Sequence, residues 1–198
     1  MKWLIGILGI AIAQGCSGPT GPGTDQQPEP RWASLGRACS ADAPAPSLSV
    51  AARDSLPPAP SAEWDLNARW AALAADVPGG WGGFFLEKGA PTIYLVDPAE
   101  KDAAIPVLAA AGFPVTSSVR VKKGRWDFAQ LYDWYRYLAP HIWGGDGLSF
   151  SDIQEARNRL EYGVIDEASR RRLEQTLAAL DVPCFLIAIE IRSRLVLL

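Results

Sequence analysis

The chain has 198 residues, 48% of them hydrophobic and 21% charged, with a formal net charge of -3. That balance excludes disorder throughout and gives no broad electrostatic reason to bind nucleic acid, so no nucleic-acid partner is expected. Three cysteines without a close pair and a single histidine, His141, leave no zinc-type spacing, and neither a metal nor a cofactor is predicted.

Residues 1–15, MKWLIGILGIAIAQG, carry one Lys, a short apolar run and small residues before Cys16, and read as a signal peptide of lipoprotein type. The run is too short to span a bilayer and gives way at once to Gly/Pro-rich sequence. Ala13-Gln14-Gly15-Cys16 resembles the lipobox of bacterial lipoproteins, with Ala13 where a larger aliphatic residue is usual. That implies a palmitate-type lipid on Cys16 and a membrane anchor, the alternative being plain secretion. Ser17 brings no acidic retention signal, which in a Gram-negative cell implies the outer membrane, facing the periplasm. Residues 16–60 are rich in Pro, Ala, Ser and Gly. They cannot bury enough apolar area to offset about 1–2 kcal/mol per residue of backbone ordering, so an extended, mobile tether is expected.

The folded domain is predicted over 61–198. Ser61 is the expected cap of a helix with Leu66, Trp70, Leu73 and Val77 on one face, stopped by Pro78-Gly79-Gly80. Trp81–Glu87 and Thr92–Val96 form a hairpin. Asp97-Pro98-Ala99-Glu100 reads as a capping box for a helix with Ile105 and Leu108 inward, Pro106 as a kink and Gly112 as the stop. Val115, Val119 and Val121 then mark an exposed strand. Asp127 opens a helix through Leu138, Gly144–Gly147 turns the chain, and Leu148 and Phe150 mark a strand. Leu160, Tyr162 and Val164 alternate with Arg159, Glu161 and Gly163, giving one face for a core and one for water. Asp166 caps a helix carrying Leu173, Leu177 and Leu180, with Glu167/Arg171 and Arg170/Glu174 one turn apart outside. Pro183 stops it. Phe185, Ile187, Ile189 and Ile191 share one face of the last strand while Cys184, Leu186 and Ala188 keep the other apolar, as in a covered central strand.

The order is helix, strand, strand, helix, strand, twice. Residues 110–115 lie over 179–184 at an offset of 69. The expected fold is therefore α+β: two diverged αββαβ repeats, lobe one 61–124 and lobe two 125–198, each a small, mostly antiparallel sheet with helices on one face. Gly82-Gly83-Phe84-Phe85 leading into Pro91-Thr92-Ile93-Tyr94-Leu95-Val96-Asp97, Asp127-Phe128-Ala129-Gln130-Leu131 opening a helix, and Ala156-Arg157-Asn158-Arg159-Leu160 leading into a strand resemble the pro-regions of secreted serine proteases of the α-lytic protease and streptogrisin type. The resemblance covers Trp64 to Glu190 and implies two small α/β lobes. No protease follows in this sequence, so the family's action in cis is not carried over.

Chemistry is sparse. His141 has no nucleophile nearby in sequence, Asp146, Asp152 and Glu155 lack EF-hand spacing, and the Gly pairs lack a phosphate-loop motif. Arg170-Arg171-Arg172 could meet acidic lipid or an acidic partner, or be a solvated face paired to Glu167 and Glu174. Trp134 and Tyr137 stand off the core stripe of their helix and suit either a partner interface or the seam between lobes. With Cys16 lipidated, Cys39 and Cys184 are the expected disulfide, worth up to ~4–5 kcal/mol in the loop-entropy model, unless Cys184 is a buried free thiol. The apolar segment Leu195, Val196, Leu197 and Leu198 either extends the last strand or binds a partner; in the pro-regions the corresponding segment lies in the protease's substrate cleft. The expected function is a non-enzymatic envelope lipoprotein that binds another protein, with a peptidase in trans as the partner class the resemblance implies. A hydrolase with a carboxylate-based site is the alternative, marked by a pocket holding two acidic residues in opposed environments.

Overall fold

The computed structural model describes residues 45–192 apart from positions 62, 64, 146 and 184, so the leader, Cys16, Cys39, Asp146, Cys184 and Leu195–Leu198 lie outside the described residues. After a short helix α1 (Val50–Asp54), the chain runs α2 (Leu66–Asp76), β1 (Trp81–Glu87), β2 (Ala90–Leu95), α3 (Lys101–Ala110) and β3 (Arg120–Lys123). The same succession follows as α4 (Phe128–Ile142), β4 (Leu148–Gln154), β5 (Arg159–Val164), α5 (Glu167–Ala179) and β6 (Ile187–Ile191). This is an α+β fold of two αββαβ units. The offset of 69 carries β2 onto β5 and the end of α3 onto the end of α5. Each unit has one three-stranded sheet, ordered β1-β2-β3 or β4-β5-β6, in which the middle strand pairs antiparallel on one side and parallel on the other. Both sheets are therefore mixed, because α3 and α5 are crossovers that return the chain parallel to the strand they left. Even the irregularity near the start of the first strand recurs, at Trp81/Gly83 and at Leu148/Phe150.

α4 joins the units. Asp127 and Gln130 form a reciprocal capping box, and Phe128, Leu131, Tyr132, Trp134, Leu138 and Ile142 are buried along one side of the helix. The helix passes the expected end at Leu138 and includes Pro140. A proline in the last turns removes one backbone bond, and the burial of Ile142 offsets that loss. α4 packs on α2 and also touches β1, β4, β5 and α5.

Several sequence expectations are corrected. The cap of α2 is Asp65, whose carboxylate accepts from the Asn67 and Ala68 amides, whereas Ser61 Oγ accepts from Glu63 N. Of the expected inward face, Val77 is buried and Trp70 and Leu73 pack against the core, whereas Leu66 is exposed and Ala68 and Ala74 are the buried residues of α2 itself, small enough to let it lie close to α4. The tether does not stay extended to Pro60. Leu48 is buried, Ser49 caps α1, Gln130 donates to Ser47 Oγ at 3.0 Å, and Arg53 pairs with Asp133 at 3.0 Å. The third strand starts at Arg120, because a turn closed by Val119 N on Thr116 O interrupts the valine alternation; Val115 and Val119 are nonetheless buried. β5 has no water face, since residues 160 to 164 are all buried. β6 is an edge strand rather than a central one, and Phe185 lies before it in a left-handed conformation, φ 62°.

The units meet at Asn158, which is 4% exposed. Its amide nitrogen donates to Gly82 O (3.1 Å) on β1 and to Trp126 O (2.7 Å), and its amide oxygen accepts from Arg125 N (2.8 Å) and Trp126 N (2.9 Å). A Cβ at Gly82 would collide with Asn158 Nδ2 and Trp126 O, so only glycine lets β1 come this close. Gly82→Ala is therefore expected to cost about 3 kcal/mol by overpacking, read as a lower urea midpoint with an unchanged m-value. A midpoint within experimental error of the wild type would contradict the close approach.

Candidate functional site

The face of the second sheet turned away from the helices carries a charge network. Glu161, in the middle strand, is 1% exposed. Arg192 pairs with it at 2.9 Å and Arg157 at 3.6 Å, and both arginines also bind Glu190. Burial pushes the Glu190 carboxyl up, but hydrogen bonds from Arg192 and Arg157 outweigh it and hold the group below the usual carboxylate range. Phe150 lies over Gly163, where a side chain would strike its ring, and Arg192 stacks on the same ring at 4.8 Å. Two carboxylates matched by two guanidiniums cover this face, although Glu161 Oε2 has the ion pair with Arg157 and no hydrogen bond among the described residues.

β6 borders that face and leaves its outer edge unpaired among the described residues. Leu160 N bonds to Leu186 O and Arg192 N to Val164 O, and the parallel register makes 188, 190 and 192 the residues that face β5. The backbone groups of Ile187, Ile189 and Ile191 therefore point outward. Ile191 is 48% exposed, and β6 has neither the Lys nor the Pro that commonly blocks edge pairing.

The residues singled out in the sequence do not converge on one site. Trp134 is 7% exposed, and its indole N–H donates to Pro46 O at 3.1 Å, so the chain's own N-terminal segment takes the place foreseen for a partner. Tyr137 is half-buried between Trp134 and His141, with ring centroids 5.9 and 5.5 Å away. His141 also lines a pocket of about 270 Å³ between α4 and α5, with Ile142, Leu148, Val164, Arg172 and Leu173. Arg170 pairs with Glu174 at 3.1 Å. Among the described residues no His, Cys, Asp and Glu group could hold a metal, and no helix is long and apolar enough to cross a membrane. Sequence reasoning missed Asn158, Glu161 and Phe185, whose partners lie far away along the chain.

Two acidic residues do have shifted ionisation. Burial raises the Glu155 carboxyl to about 7, and the charge of Asp152 adds to the shift. Partial burial raises Asp152 as well. Both move in the same direction, and Glu155 packs against Gly83 of β1 rather than in the pocket. The chain matches no protein-family model, and no curated protein matches it.

The Glu155 shift sets a pH dependence. The folded protein keeps a proton there between the ordinary value of 4.5 and about 7 while the unfolded chain has lost it, so stability falls as pH rises through that window and then levels. Urea midpoints measured from pH 4.5 to 8 should decline, and Glu155→Gln should flatten the decline. An unaltered slope in the variant would remove Glu155 as its source.

Proposed function

We propose that the chain is a non-enzymatic module of the bacterial cell envelope, tethered through a lipid on Cys16, that binds another protein by adding a strand of that protein to β6. The observation that carries this reading is the outer edge of β6, where the outward backbone groups of three isoleucines are unpaired among the described residues. An edge strand with neither Lys nor Pro is a template for an extended segment: main-chain bonds supply affinity, and alternate side chains supply choice. The pro-region resemblance makes a peptidase acting in trans the partner class, and the tether supports a position facing the periplasm. The rival hydrolase reading has less support. Asp152 and Glu155 shift together rather than apart, and the pocket between α4 and α5 has no carboxylate among its described lining residues.

The test uses the full-length chain as bait on solubilised membranes, with Ile191→Lys beside the wild type. Ile191 is half-exposed, so lysine there should leave the melting temperature within about 2 °C while blocking the edge. A partner held by the wild type and lost with the variant is the expected result. Equal recovery by both would overturn strand addition at β6.

A further inference from the structure

The edge of β6 is not uniform along its length. Ile187 and Ala188 are buried, so the part open to another chain begins at the half-buried Ile189 and runs on through Glu190 to the exposed Ile191. In the parallel register Tyr162 stands beside Ile189 and Val164 beside Ile191, and residues opposite one another project to the same side of a sheet. Tyr162 and Val164 are buried on the helix side, where Val164 meets Leu173 of α5 at the pocket. Ile189, packed against the core, and Ile191 therefore continue that apolar layer out to the edge. Glu190 stands beside Gly163 on the other side, within the charge network.

The two sides select different side chains in a strand laid along this stretch. Alternate residues of that strand fall against Ile189 and Ile191, and apolar side chains there remove the open isoleucine surface from water without stranding a polar group. The residue between them stands against Glu190. Arg157 and Arg192 both engage that carboxylate and both engage Glu161, so the charges of these four groups balance. An acidic side chain would bring a third carboxylate to two guanidiniums and face Glu190 as a like charge. A hydroxyl adds no charge, and β-branched residues suit the extended backbone.

We propose that the segment received by β6 is an amphipathic strand carrying a β-branched apolar residue against Ile189, another against Ile191, and a neutral hydroxyl residue between them against Glu190, as in Val-Thr-Val. This rests on strand addition at β6 and names the class of partner segment that fits there.

The probe is the peptide Lys-Thr-Val-Thr-Val-Thr-Lys, titrated into the isotope-labelled full-length chain in detergent micelles and followed by amide hydrogen exchange. The Ile189 and Ile191 amides, which point away from β5, should slow at least about tenfold at saturation, while the Glu190 amide, which faces β5, changes little. Glutamate in place of the central threonine should weaken binding at least about threefold, and serine in place of both valines at least about tenfold. Equal binding of the three peptides would overturn the pattern, as would unchanged exchange at Ile189 and Ile191 up to millimolar peptide. Amides already slow without peptide, together with a doubled protein mass in sedimentation, would give the edge to a second copy and overturn it too. Recovery from solubilised membranes with Ile191→Lys separates this from the reading beneath it. A partner lost with that variant while the peptides fail to discriminate defeats only the pattern, whereas a partner recovered equally by both chains defeats strand addition and the pattern with it.

Discussion

One side-chain amide fixes how the two halves of this molecule sit. Asn158 has two donors and two acceptor positions, and all four are used, on the backbone of β1 and of the segment joining the units. A fully satisfied buried polar group is worth little net stability per bond, but a great deal of specificity, because any other placement leaves several buried groups unpaired. Its left-handed backbone, φ 52°, is one that asparagine tolerates better than most residues. Gly82 and Gly124 complete the joint by withholding side chains where backbone and amide must touch.

Around that joint the units are alike in plan and unlike in chemistry. Three strands and two helices make a small core, and here α4 lends its apolar side to both sheets. In the first unit Trp70, Trp81 and Phe113 pack with Phe128 of α4, with ring centroids 5.1 to 5.8 Å apart. In the second, the sheet face away from the helices is closed by ions, with Glu161 held between Arg157 and Arg192. Removing one partner of such a network leaves a buried charge uncompensated, so the network fixes the position of the β6 terminus more than it adds net stability. The edge proposed to receive a partner is thereby held still.

Much of this fold was legible in the sequence. Local signals survived: the caps at Asp127 and Asp166, the Lys88-Gly89 turn of the hairpin, and the repeat offset of 69, whereas Asp97 caps a short turn over Pro98–Glu100 in place of α3 itself. Each depends on residues within a few positions of one another. What failed depends on distant ones. Trp134 was read as facing a partner or the seam between lobes because its cover, Pro46, lies 88 residues earlier. Glu161 looked solvated because Arg192 lies 31 residues later. β6 looked central because it is apolar on both faces, yet its Ala188 and Glu190 face is shielded by arginines and one of its edges lies open.

The central claim is that Asn158 makes the two units one cooperative body. Native-state amide exchange of the wild type and of Asn158→Ala tests it most directly, by comparing the opening free energies of amides in β2, in β5 and at Arg125 and Trp126. In the wild type the three sets should share one global value, and in the variant β2 and β5 should separate into two values while the Arg125 and Trp126 amides exchange by local opening. A variant in which all three sets still open together would contradict the account.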